Sequence, residues 1–430
     1  MATIRPFRAL RPVPEAAAAV ASVPYDVVDR AGARERAAGN PLSFLHVTRA
    51  EIDLPPGTDP YADAVYRRAA ANLGELGRRA PLVDDDAPSL YLYRVRAGSH
   101  EQTGVAGCFS LAEYERHVVK RHEKTRPDKE DDRTRHMLAL GAQTGIVFLA
   151  YRAAEAVDAV VRRGTGAPPL LDVPAADGVR HTVWRLRPAD TAALVEAFAA
   201  VPSLYIADGH HRVASAARAR DGLGPAVAAD SEAPAHFFLA AAFPDSETCI
   251  LPYNRTVADL GGHTPEAFVE AVRAVFAVRA VEPPADAPPP KGQVDVYLAG
   301  RWHRVDLGSG REAADVPGQA AGLDVARLHD RLLGPLLGIG DVRSDPRIAF
   351  VGGAGGTAAL ERAVDGGAAA VAFSLAPVTP AELLAVSDAG EMMPPKSTWF
   401  EPKLRDGLLV HRIGGSTPDP RAAAGGGPDR

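Results

Sequence analysis

Five consecutive residues, Asp208-Gly209-His210-His211-Arg212, put a carboxylate, two imidazoles and a guanidinium within one turn of chain. They follow the apolar run Leu204-Tyr205-Ile206-Ala207 and precede Val213-Ala214-Ser215-Ala216-Ala217-Arg218. That order predicts a short buried strand, a tight turn at Gly209 and a helix that opens on the histidines. A helix N-terminus presents N–H groups outside its own ladder and the positive end of the dipole, so it favours an anion. Gly209, His210, His211 and Arg212 are therefore candidates for binding a phosphate or nucleotide. Asp208 is the candidate for orienting or deprotonating a hydroxyl, or for holding a metal. The plainer alternative is a helix capped by Asp208 with solvated histidines. Strand-turn-helix punctuation with clustered His-His-Arg is more than a cap requires.

Phosphoryl transfer depends mostly on positioning and charge neutralisation, commonly with Mg2+, so Mg2+ is the expected metal. A second carboxylate usually shares the work. Glu123 in Arg121-His122-Glu123-Lys124-Thr125-Arg126 is the favoured one, because its segment is dense with cations. The alternative for Glu123 is a solvated charged loop. Arg133 either binds an anion or pairs with Asp131 or Asp132. In Pro394-Pro395-Lys396-Ser397-Thr398 two prolines force an extended approach. Lys396, Ser397, Thr398 and the later Lys403 then offer charge and hydroxyls to a substrate, or else only close a rigid loop. Tyr25-Asp26 and Tyr253-Asn254-Arg255 either line a pocket or pin turns.

The stretch Ile206-Ala-Asp-Gly-His-His-Arg212 resembles the signature of the ParB/sulfiredoxin-like superfamily, and the chain as a whole resembles the DUF1015 family. Further matching stretches are Val23-Pro-Tyr-Asp-Val27, His122-Glu-Lys-Thr125, Leu251-Pro-Tyr-Asn-Arg255 and Met393-Pro-Pro-Lys-Ser-Thr-Trp-Phe-Glu-Pro-Lys403. The resemblance extends over residues 1–413. It implies a mixed-sheet core with N- and C-terminal elaborations. Superfamily relatives with Asp-Gly-His-His-Arg include kinases of free serine. The resemblance thus implies transfer of a phosphoryl group to the hydroxyl of free L-serine or a related amino acid. ATP, ADP or pyrophosphate is the donor. It also favours Glu123 as a catalytic partner of Asp208; His122 and Thr125, in the same stretch, are candidate substrate contacts.

Two other readings remain: a ParB-like nucleotide-binding regulator without catalysis, and a metal-dependent phosphohydrolase. A sulfiredoxin-like reductase fails, because that motif carries a cysteine where this chain has His210. The hydrolase would draw on His117, His122, His136, His210 and His211, but no His-Glu-x-x-His spacing occurs, and adjacent histidines share one ion poorly. There is no Gly-x-x-x-x-Gly-Lys-Ser/Thr loop and no Gly-x-Ser-x-Gly elbow. The run Val351-Gly-Gly-Ala-Gly-Gly356 lacks a full dinucleotide fingerprint and is expected to be a hairpin or a strand-end turn.

The 430 residues suffice for two or three domains. A net charge of −6 leaves no basic footprint, which argues against nucleic acid as a partner. Cys108 and Cys249 stand far apart without a Cys-x-x-Cys pair, which suits a reducing cytoplasm. No signal-peptide order and no bilayer-length apolar run is present, so the expectation is a cytoplasmic protein with a small-molecule substrate and no membrane partner. Nothing in the sequence fixes an oligomeric state.

Strand and helix patterns alternate, which predicts an α/β or α+β fold. Helices are expected at 61–79, 133–143, 325–337 and after Gly209. Strands are expected at 89–95, 104–110, 145–151, 202–207, 236–243, 295–299, 302–306 and 368–375. The expected organisation is an N-terminal region at 1–100, a core at 101–280 carrying the 208–212 turn and a C-terminal α/β region at 293–413. A proline-rich linker at 281–292 precedes that region, and a disordered tail at 414–430 follows it.

Overall fold

The computed structural model describes residues 1–79, 82–282, 287–308 and 318–414. Part of the expected linker (283–286) and the tail beyond Gly414 lie outside the described residues. The fold is mixed α/β, in two compact units that interleave along the chain where the sequence suggested consecutive blocks. The first unit takes Met1–Lys120, Thr125–Glu247 and the chain from Pro402 onward. The second takes Arg121–Lys124 and Thr248–Glu401. Among the described residues no helix is long and apolar enough to cross a membrane.

The first unit is built on a nine-stranded mixed sheet. The strand Leu204–Asp208 runs parallel to Val119–Lys120 and antiparallel to Val147–Tyr151. Phe237–Pro244 lies parallel to Val147–Tyr151, and every one of its residues is buried. Continuous apolar runs of this kind suit strands covered on both faces. Phe109, Tyr151 and Phe238 from three strands pack with Phe198 of the helix Pro188–Ala199 in one cluster. The helix His210–Gly222 buries Val213, Ala216 and Ala219. Those small residues let it lie close to the helix Pro127–Leu140, where Ser215 Oγ donates to the Glu130 carbonyl at 3.1 Å.

The helix expected from Arg133 begins six residues earlier, at Pro127. Proline at the first helical position loses no intrahelical bond, and the acidic residues after it suit the positive helix end, so a polar stretch that reads as loop is the first turn and a half. The helix stops at Gly141, in the left-handed region at φ 60°.

The second unit carries a six-stranded antiparallel sheet in the order Val278–Val281, Arg301–Asp306, Gln293–Leu298, Val371–Leu375, Tyr253–Val257, Ile348–Gly352. The expected helix at 325–337 forms as Asp324–Leu328 and Gly334–Leu337 around a π-turn at His329–Leu333. Pro335 has no N–H to give, and the wider turn before it accommodates that loss. The glycine run is a strand-end turn that leads into the helix Gly356–Asp365.

Three histidines of the first unit are buried and held neutral. Burial pushes His136 and His411 down to about 4, and burial with the Arg405 cation pushes His181 down to about 3. Their folded values lie below the ordinary one, so the unfolded chain binds more protons and their contribution is lost as pH falls from 6.5 toward 4. Asp406, which burial pushes up to about 7, and His46, which its hydrogen bond to Asp53 raises, act in the opposite sense and offset them near pH 7. Between pH 6 and 5 the balance of these groups is an uptake of about two protons on unfolding. Urea unfolding at pH 6, 5.5 and 5 should show the midpoint falling at each step, and a midpoint constant over that range would contradict it.

Candidate functional site

Asp208 ends its strand just after a register shift: Ile206 pairs with Leu149, but Asp208 pairs with Phe148. A bulge there leaves Ala207 unpaired and re-aims the carboxylate. Gly209 then turns the chain at φ 97°, a conformation that side chains disfavour. Gly209 itself is the N-cap, so Asp208 does not cap the helix. The N–H groups of Arg212 and Val213 both bond to the Gly209 carbonyl, which places those of Gly209, His210 and His211 ahead of the helical ladder.

Lys403 Nζ stands 3.5 Å from Asp208 Oδ2, and 32% of the Asp208 side chain remains exposed. Burial alone would raise this carboxyl. The Lys403 ammonium, the Arg212 guanidinium and His210 outweigh it and hold Asp208 down at about 2. Lys403 arrives on the returning C-terminal segment, which is anchored at several points. Ser22 and Asp406 exchange backbone hydrogen bonds of 3.1 and 2.9 Å, as do Leu10 and Val410 at 3.0 and 2.9 Å. His411 and Arg412 pair with Gln143 and Ala142.

His210 is buried. His211 is half-buried, and its Nε2 accepts the Arg126 backbone N–H at 3.0 Å, so in the neutral ring the proton sits on Nδ1. Arg212, expected at the phosphate, has other partners. It is 4% exposed, donates to the Ile146 carbonyl at 2.7 Å and reaches both oxygens of Asp26 at 3.0 Å. Its guanidinium lies 5.4 Å from the centre of the Tyr25 ring, which also carries Arg133 at 4.2 Å. Arg133 pairs with Asp132 at 2.7 Å, and Asp131 pairs with Arg218, so of the two readings of Arg133 the geometry favours the ion pair.

Thr125 is half-buried in the first unit, at the approach to the helix Pro127–Leu140. The remaining candidates belong to the second unit. His122 is buried, its carbonyl accepts the Met393 N–H at 2.8 Å and its Nε2 lies 3.4 Å from Thr398 Oγ1. Glu123 is half-buried beside it in sequence. Ser397 Oγ donates to the Pro394 carbonyl at 2.6 Å, closing the turn that the prolines begin. Lys396 Nζ sits 5.7 Å from the centre of the Tyr253 ring, and Arg255 donates to the carbonyls of Pro395 and Lys396. Sequence reasoning did not single out Asp406, and it left Asp26 between pocket and turn. The Val23-Pro-Tyr-Asp-Val27 stretch was the signal for Asp26; Asp406 had none.

The sequence profile described as "Protein of unknown function (DUF1015)" matches residues 4–326. No curated protein matches the chain. Among solved structures, a conserved hypothetical protein from Pyrococcus furiosus is 14% identical, with 72% of this chain and 95% of that one covered and a TM-score of 0.34. SbnI from Staphylococcus aureus, truncated at its C-terminus, is 12% identical, with 71% and 87% covered and a TM-score of 0.33. A free serine kinase in complex with AMP is 13% identical, with 71% and 91% covered and a TM-score of 0.33. The chemistry of the site therefore rests on its own side chains.

The turn itself can be tested. A Cβ at Gly209 would stand 3.3 Å from Arg212 Cδ and 3.5 Å from Val147, in a left-handed conformation. Gly209→Ala should cost roughly 1–2 kcal/mol in urea unfolding from the backbone alone. An unchanged midpoint would mean the turn is not held as described.

Proposed function

The chain belongs to the DUF1015 family, and from its 208–212 turn we propose that it is a phosphotransferase acting on the hydroxyl of a small molecule, free L-serine or a related amino acid. The observation that carries this reading is a helix N-terminus opened by Gly209, with an ionised Asp208 and the Lys403 ammonium beside it. Helix-end N–H groups and an ammonium suit the oxygens of a phosphate, and the neighbouring carboxylate suits the hydroxyl that attacks it. The resemblance of Asp208-Gly-His-His-Arg212 to the motif of free-serine kinases supports the acceptor, and supports a ParB/sulfiredoxin-like core around the turn.

In this reading the acceptor oxygen bonds to the terminal phosphorus of ATP, ADP or pyrophosphate. The bond from that phosphorus to the leaving phosphate oxygen breaks, and the hydroxyl proton is released. A carboxyl held at about 2 is a weak base at neutral pH, so Asp208 accepts the hydroxyl hydrogen bond and aligns the oxygen. Such alignment suits a loose transition state, in which the protein's main tasks are positioning and charge neutralisation. Lys403 and the N–H groups at His210 and His211 neutralise charge on the transferred group. Arg212, engaged by Asp26 and Ile146, holds the turn in place. Mg2+ usually keeps several waters and binds through substrate phosphates. Asp208 and Lys403 form a matched pair rather than a metal cage, so we assign Mg2+ to the donor. Glu123 is the proposed base, to be tested by substitution.

The test is O-phosphoserine formation from L-serine and Mg2+ with ATP, ADP or pyrophosphate in parallel. One donor should give product. Asp208→Asn, which keeps shape and removes charge, should lower turnover by about 10^2-fold or more. EDTA should abolish turnover without shifting thermal unfolding. Nucleotide binding without product from any donor or hydroxyl acceptor would replace this reading with a non-catalytic nucleotide-binding protein.

A further inference from the structure

Four buried or half-buried cations of the 208–212 turn and of the segments tied to it each have their own carboxylate. Arg212 is paired with Asp26 and Arg133 with Asp132 on the inner side of the turn, Lys403 with Asp208 at its outer edge, and Arg405, next to Asp406 in the chain, with Asp177. A fifth carboxyl, Asp406, faces Arg212 at 1% exposure. It receives the Tyr25 backbone N–H, and its Oδ2 has no hydrogen-bond partner among the described residues. The cations that face it, Arg212 and Arg133, are already matched. His181, on the far side of Arg405, accepts the Arg405 Nε hydrogen bond at 3.1 Å and is neutral. Tyr25, whose phenol burial and Asp26 push up to about 12, and Tyr93, a buried phenol pushed well above its ordinary range chiefly by burial, are neutral too.

We propose that Asp406 is a charge switch for the 208–212 turn: neutral, it leaves every buried pair balanced, and ionised, it sets an unmatched negative charge behind Arg212 and weakens anion binding. A buried carboxyl without a counter-charge keeps its proton rather than accept the desolvation cost. Burial, with the repulsion of Asp26, pushes Asp406 up to about 7 against the pull of Arg212 and Arg133. The switch therefore turns over in the range where cells live. Its fixed shape comes from the backbone exchange with Ser22 and from Gly407, where a Cβ would stand 2.7 Å from the Phe44 ring. Asp406 touches no substrate in this account; it is a positioning residue acting through Arg212. The inference rests on the anion seat of the proposed function, but the proton on Asp406 does not.

Two measurements on the full chain test both parts. In urea unfolding, the ratio of unfolding constants between the wild type and Asp406→Asn should rise about tenfold per pH unit from pH 5 toward 7 and level off above it. A ratio constant with pH overturns the switch, whatever binds at the turn. In calorimetric titration with pyrophosphate, the ratio of the two dissociation constants cancels the ligand's own ionisation. That ratio should climb at least threefold from pH 6 to 8. A constant ratio, with both proteins binding, overturns the switch while sparing the phosphate site. Absence of pyrophosphate binding in both proteins at every pH would remove the seat and the switch together. Asp406→Ser, which keeps an acceptor for the Tyr25 N–H, replaces Asp406→Asn should that variant fail to fold.

Discussion

Arg212 is a full charge taken almost entirely out of water, and a buried guanidinium persists only where carbonyls and carboxylates are brought to it. Ile146 supplies the carbonyl from the start of a central strand, and Asp26 supplies both oxygens from a turn near the N-terminus. The pairing thereby ties together the helix after Gly209, the strand beside it and a segment 186 residues away. Losing Asp26 would leave the buried guanidinium without its counter-charge, although the Asp26 carboxylate itself is 40% exposed and partly screened by water. Tyr25, Arg133 and the returning C-terminal segment are all placed around the same centre. The outer side of the turn is left with the groups suited to a substrate: the helix-end N–H groups, His211, Asp208 and Lys403.

This arrangement divides five adjacent residues between two kinds of work. Asp208 faces outward because the bulge at Ala207 turns it there, and Lys403 keeps it ionised. Arg212 faces inward because the Ile146 carbonyl and the Asp26 carboxylate hold its guanidinium there. A motif that reads as one cluster of ligands is, in space, a part-exposed edge backed by a strut. The low proton affinity of Asp208 follows from the cations around it. In the proposed phosphotransferase it would favour alignment and charge neutralisation over proton abstraction by this residue.

Much of the local structure was legible in the sequence. Apolar runs of strand length, such as 204–207 and 236–243, became buried strands, and glycine after Asp208 made the turn its position implied. The start of the helix at Pro127 was hidden, because its first turns are polar on every side and carry no apolar period. Long-range partners were not legible either. Nothing near Arg212 in sequence points to Asp26, and nothing near Lys403 points to Asp208. Asp406 lies in an unremarkable Arg405-Asp406-Gly407 step, and its meaning comes only from counting the charges that the fold packs around it. The interleaving of the two units was invisible for the same reason, since a returning segment carries no local mark.

The central claim is that a phosphate binds at the outer edge of this turn while Arg212 stays with Asp26. A crystal structure of the protein with pyrophosphate tests it most directly. The account predicts a phosphate group within hydrogen-bond distance of the His210 and His211 N–H groups and of Lys403, with the Arg212–Asp26 pair intact. A phosphate seated on Arg212 with Asp26 displaced, or bound away from the 208–212 turn altogether, would contradict it.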